Sequence, residues 1–105
     1  MSLQPATAQP LATLIVPTPD GIASRVIRKT PGGSLTIFAF AAGQGLTEHT
    51  SPYEAIVQVL DGRFRLTIGG VPVDAVAGSI VLMPADVPHA VDAIDSGRML
   101  LTMLK

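Results

Sequence analysis

From Ile22 onward, glycine, proline and aspartate return so often that no stretch is left long enough for an amphipathic helix. Between these breaks lie short runs rich in Val, Ile, Leu, Phe and Thr, and none sustains a 3.6-residue period. The runs predict strands over Ile22–Thr30, Ser34–Ala41, Tyr53–Leu60, Arg63–Ile68, Val71–Ala75, Ile80–Met83, His89–Ile94 and Arg98–Leu104. Asp61-Gly62 and Gly69-Gly70 are tight-hairpin pairs, because glycine tolerates the positive φ such turns demand. Short strands joined by hairpins, with no helix, predict an all-β closed barrel or sandwich.

The chain ahead of Ile22 reads differently. Residues 1–19 hold four prolines and no charge, which predicts an irregular arm with one short strand at Leu11–Val16. The expected division is an N-terminal arm over 1–20 and one barrel domain over 21–105, since 105 residues leave no room for a second domain. Two connections are too long for hairpins, Ala42–Pro52 and Pro84–Pro88, and binding groups concentrate in such loops. The chain has 2 histidines, and His49 and His89 lie in or directly after those two loops.

The residues around them resemble the two motifs of the cupin superfamily. The first motif runs Gly, five residues, His-x-His, three or four residues, Glu, six residues, Gly. Gly43, His49 and Gly62 fit its frame from both ends. The second runs Gly, five residues, Pro-x-Gly, two residues, His. Gly78, Pro84 and His89 match it, with Asp86 in place of the inner glycine. The resemblance covers about Leu35 to Leu104 and implies a double-stranded β-helix, the jelly-roll cupin barrel, similar to short bacterial single-domain cupins. It also implies a metal centre of three histidines and a glutamate in one barrel mouth.

That ligand set is only half present. His49 fits the first position and His89 the last, whereas Ser51 stands at the second histidine and Ala55 at the glutamate. Glu54 is one residue away, and a one-residue slip in a strand turns a side chain to the opposite face. Glu54 could become a third ligand if a bulge at Pro52 reset the register; Glu48 and Gln58 share its outward parity. Two neutral imidazoles can hold a divalent ion (Zn, Ni, Fe or Mn), but non-haem iron sites need a carboxylate beside them. The alternatives are that the two rings simply hydrogen-bond in a polar mouth, or that they are unrelated in space.

Tyr53 shares the parity of His49, Ser51 and Ala55 and is a candidate pocket residue. The predicted ligand-binding set is therefore Tyr53, Ser51, Ala55 and Val57, beside His49 and His89. Phe38, Phe40, Phe64, Met83, Met99 and Met103 read as barrel filling. Arg63 and Arg65 alternate onto one face, as a solvated surface or an anion clamp.

Composition narrows the function classes. Only 14% of residues are charged, against about 25% in an average soluble chain. Net charge is −1 with no basic cluster, which excludes a nucleic-acid footprint. Apolar stretches at Leu11–Val16 and Val76–Ala85 are too short to span a bilayer. The first charge is Asp20 and cysteine is absent, so the expectation is a cytoplasmic protein without thiol or disulfide chemistry. Few charges leave much surface apolar, and a homodimer is expected to cover part of it. The function expected is small-molecule binding at the barrel mouth, through a divalent metal on the two histidines. The alternative is a metal-free binding or structural barrel. If the protein is an enzyme, the resemblance implies an isomerase, decarboxylase or dioxygenase.

Overall fold

The computed structural model describes residues 3–105. Nine strands follow one another: β1 (Ile22–Thr30), β2 (Gly33–Phe40), β3 (Gly45–His49), β4 (Glu54–Asp61), β5 (Arg63–Ile68), β6 (Val71–Val76), β7 (Ile80–Met83), β8 (His89–Ala93) and β9 (Gly97–Leu104). They form two antiparallel sheets, one ordered β1-β2-β9-β4-β7 and the other β3-β8-β5-β6. The strands are the all-β class expected from the sequence, in the jelly-roll arrangement that the resemblance implies. Among the described residues no helix is long and apolar enough to cross a membrane.

Period-two patterning builds the interior. Ala55, Val57 and Val59 of β4 point inward between exposed Glu54 and Gln58, and Phe64 and Leu66 of β5 point inward between exposed Arg63 and Arg65. With Phe40, Met83, Val91 and Met99 they fill the space between the sheets. Phe40 and Phe64 meet edge to face at 5.3 Å between centroids. Each buried Val, Leu, Phe or Met side chain contributes about 1.5–3 kcal/mol.

A second apolar cluster lies on the other face of the five-stranded sheet. Leu14 and Ile15 of the arm pack there on Ile27, Ile37, Ala39 and Leu100. Strand β2 is thus covered on both faces, which is why Leu35–Ala41 reads as a nearly continuous apolar run.

The arm differs from expectation. Leu11–Thr13 form a single 3-10 turn, closed by the Thr13 and Leu14 amides on the Pro10 and Leu11 carbonyls, and no strand forms at Leu11–Val16. The apolar residues of the arm lie over a sheet face, and its Leu3 amide donates to Ile27 O on edge strand β1 at 3.4 Å. Its prolines also lack the N–H a ladder requires. Arg98 ties it down. Its Nη1 donates to Ala12 O at 2.9 Å, while Nε and Nη2 donate to Asp61 Oδ2 at 2.9 and 2.6 Å.

The second difference is β3, within the segment expected to be a loop. Gly45, Thr47, Glu48 and His49 are exposed and carry no apolar alternation, so the strand had no period-two signal. It exists because it pairs with β8.

Candidate functional site

Strands β3 and β8 bring the two histidines together as direct cross-strand partners. The ladder slips on the way to them. Leu46 faces Val91 and His49 faces His89, so three residue steps on β3 oppose two on β8. Such a bulge reverses the parity of the residues beyond it. Leu46 and His49, an odd number of positions apart, therefore both line the same pocket, and Glu48 is left exposed.

The rings meet with 4.4 Å between centroids, and His89 Nε2 lies 3.1 Å from His49 Nε2. The opposite nitrogens are committed to the backbone. His49 Nδ1 is 2.7 Å from Thr47 O, and His89 Nδ1 is 3.1 Å from Val87 O. A carbonyl oxygen can only accept, so each Nδ1 carries a hydrogen and donates it. This leaves the two Nε2 atoms facing one another. His89 is 4% exposed, and among the described residues it is the buried polar side chain in an otherwise apolar interior.

Beside the pair opens a pocket of about 150 Å³, walled by Leu46, Ser51, Ala55, Met83, Val91, Met99, Leu101 and Met103 together with both histidines. A cavity of roughly that size accommodates a benzene-sized molecule. A larger hollow of about 220 Å³ lies beneath the arm, but no titratable side chain lines it.

The second connection is fastened to the first at this pocket. The Asp86 amide donates to Ser51 O at 2.8 Å. Asp86 has φ +63°, in the left-handed region that glycine adopts without strain. The turn therefore keeps the glycine conformation of the second motif although the residue is aspartate. Aspartate is among the few residues tolerated there.

Of the residues expected at the site, His49, His89, Ser51 and Ala55 converge on the pocket, and Tyr53, Glu54 and Val57 do not. Tyr53 sits in the bend between β3 and β4, where alternation no longer sets direction, and is partly exposed beneath Lys105 Nζ, 5.4 Å from its ring centroid. Val57 is fully buried in the barrel interior beyond the pocket wall. Glu54 faces outward. β4 pairs Glu54 with Leu104 and Ala55 with Met103 without a slip, so the bulge that would have turned Glu54 inward is absent at Pro52 and occurs instead in β3. Met83, Met99, Leu101 and Met103 line the pocket as well as filling the barrel; period-two parity on β7 and β9 was the signal available for them.

These donors do not complete the metal centre implied by the motifs. Among the described residues no group of three His, Cys, Asp or Glu side chains converges. Catalytic zinc sites commonly use three protein ligands, and the pair supplies two. Arg63 and Arg65, on the outer face of the other sheet, both engage Asp74 at 3.0 and 3.1 Å. Hydrogen bonds from Arg65 and then Arg63 hold the Asp74 carboxyl below its ordinary value. That cluster is a salt-bridged surface patch, and none of its residues lines the pocket.

Comparison with known proteins agrees with this architecture. A family model described as a cupin domain matches residues 36–104. A conserved protein of unknown function from Streptococcus pyogenes superposes with a TM-score of 0.92 at 29% identity, covering 98% of this chain and 90% of that one. A Cupin 2 conserved barrel domain protein from Leptotrichia buccalis superposes at 0.86 with 32% identity over 90% of this chain and 46% of its own, so this chain spans less than half of it. A cupin superfamily protein from Desulfitobacterium hafniense shares the fold at a TM-score of 0.89 and 24% identity, over 97% and 94% of the two chains. No curated protein matches the chain.

Proposed function

The chain belongs to the cupin domain family, and on that premise we propose that it binds a small, mostly apolar molecule in the pocket between Leu46, Met83 and the histidine pair. The observation that carries this reading is the placement of one polar pair in an apolar wall. Binding pockets commonly combine an apolar lining with a few placed polar groups that set orientation. Ala55 and the methionines shape the body of the ligand; His49, His89 and Ser51 orient its polar end. No catalytic step is assigned to them.

A second reading places a divalent ion (Zn, Ni, Fe or Mn) on the two Nε2 atoms. Their convergence and the locked Nδ1 groups favour it, since metal-bound histidines typically donate their other N–H to a carbonyl or carboxylate. The missing third ligand counts against it. Elemental analysis of protein purified without chelator separates the two. Near-stoichiometric metal that disappears in both His49→Ala and His89→Ala supports the ion. The metal-free reading expects trace content and a melting temperature unchanged by added ions. The pocket reading itself is tested by thermal shift with benzene-sized apolar probes, and by Ala55→Phe, which should abolish any shift.

The proposal extends to the whole chain. We treat residues 1–20 as an arm and 21–105 as the barrel domain, since β1 opens at Ile22. A homodimer is part of the reading. The arm covers the β1, β2 and β9 side of the outer sheet face, while Ile80 and Leu82 of edge strand β7 stand 66% and 52% exposed. A cytoplasmic location fits a cysteine-free chain.

A further inference from the structure

Ala55 stands where the motifs would place a carboxylate ligand, and the side chains that flank it are suited to a different ion. We infer that the histidine pair is completed by the thioethers of Met83 and Met103, and that the ion held there is monovalent copper.

Ala55 is paired with Met83 of β7 on one side and with Met103 of β9 on the other. Residues directly opposite in antiparallel strands share a face, with Cβ atoms about 4.5–5.5 Å apart. Both methionines accordingly line the same pocket as Ala55, His49 and His89. A methyl group in place of a carboxylate leaves the space beside it to these neighbours. Methionine is unbranched and flexible, so its sulfur can occupy such a gap. Imidazole nitrogens and thioether sulfurs therefore surround one cavity. Thioether sulfur lies outside the His, Cys, Asp and Glu donors that fail to converge in threes.

The imidazoles are set to share an ion. His89 Nε2 lies 3.1 Å from His49 Nε2, with Nδ1 of His49 on Thr47 O and Nδ1 of His89 on Val87 O. At metal–nitrogen distances of roughly 2 Å, two nitrogens so placed can bind one ion together.

Charge and softness select the ion. The imidazole and thioether donors are neutral ligands, and no carboxylate lines the pocket. The Born cost of burying an ion rises with the square of its charge, so a monovalent ion costs about a quarter as much as a divalent one in the same apolar wall. Thioether sulfur is a soft donor suited to Cu(I), and imidazole binds copper as well. Manganese, suited to oxygen donors, finds no carboxylate here. Copper and the apolar molecule proposed above are separate occupants of one pocket, so each is tested alone.

The test is anaerobic titration of the full chain with Cu(I), supplied as its acetonitrile complex, in competition with the chromogenic chelator bicinchoninate. We expect stoichiometric binding by the parent. The double variant Met83→Leu with Met103→Leu keeps the side-chain volumes and removes both sulfurs. It should bind at least about tenfold more weakly, since losing even a hydrogen-bond partner of a metal ligand costs about 10–100-fold in affinity. Copper K-edge absorption on the loaded parent should show sulfur bonded to the ion, a readout that stands even if the double variant fails to fold. Parent affinity in the double variant, or a copper spectrum with nitrogen and oxygen neighbours alone, overturns the inference. Zinc that displaces Cu(I) at equal concentration also overturns it. If Cu(I) does not bind while a benzene-sized apolar probe still raises the melting temperature, the inference falls and the pocket reading stands. If neither binds, both fall. Sulfur-bound copper with no probe entering keeps the inference and removes the pocket reading.

Discussion

At the residue scale, Asp86 shows how a motif glycine is replaced without loss of its turn. Its φ of +63° is a conformation that strains most side chains, and its amide holds the two mouth loops together through Ser51 O. Asp86→Gly should stay within about 1 kcal/mol of the parent, since glycine adopts that backbone freely. Asp86→Val should lose about 1–3 kcal/mol, because a β-branched residue is strained there. Urea unfolding of the two variants checks this, and equal stability would show that the turn has relaxed to another conformation. Gly62 is constrained twice over, by φ +77° and by Ser96 O, which an added Cβ would approach to 2.5 Å. Gly62 and the Asp61-Gly62 turn were legible in the sequence; the close approach of Ser96 was not, because it joins segments far apart in the chain.

At the element scale, the arm and the β5–β6 hairpin are held by charges of different kinds. Arg98 is largely buried and serves Asp61 and two arm carbonyls, Ala12 O and Ile15 O. Arg98→Leu removes those donors and leaves Asp61 without its cation. The expected loss is about 2–3 kcal/mol, with faster proteolysis ahead of Ile22, because hydrogen bonds to charged groups are the costly ones to break. Arg98→Lys should fall between, since an ammonium cannot reproduce the fork. The Asp74 cluster is exposed and acts through pH. Its carboxyl is held below the ordinary value by Arg65 and Arg63, so its contribution is present at neutral pH and is lost as pH falls through the lowered folded value. Asp74→Asn should therefore lie below the parent in stability at pH 7, with the gap closing on acidification and narrowing in high salt. A gap that persists at low pH would mean the effect is not ionic. Strand β3 went unseen at this scale because its exposed residues have no alternation; its pairing with β8 depends on residues elsewhere in the chain.

At the scale of the whole molecule, the five-stranded sheet is the middle layer of the structure, lined by the barrel interior on one face and partly roofed by the arm on the other. The roof ends before β7. Ile80 and Leu82 leave an apolar strip on an edge that also presents unpaired backbone groups. A second copy covering that strip predicts a dimer in sedimentation at micromolar concentration. Leu82→Lys with Ile80→Lys should convert it to a monomer that retains its pocket. A monomeric parent would leave the low charge content of the chain without this explanation.

By itself the sequence determined the all-β class, the hairpin turns, the inward sets of β4 and β5, and the frame that singles out His49 and His89. These follow from period-two patterning, from turn chemistry and from fixed spacing, all of which are local. Only the tertiary structure decided that Leu46, an odd number of positions from His49, shares its pocket, and that the two Nε2 atoms meet while both Nδ1 atoms are engaged. The cause is a single extra residue on β3. A bulge is set by the partner strand, and a partner some forty positions away leaves no trace in the local pattern.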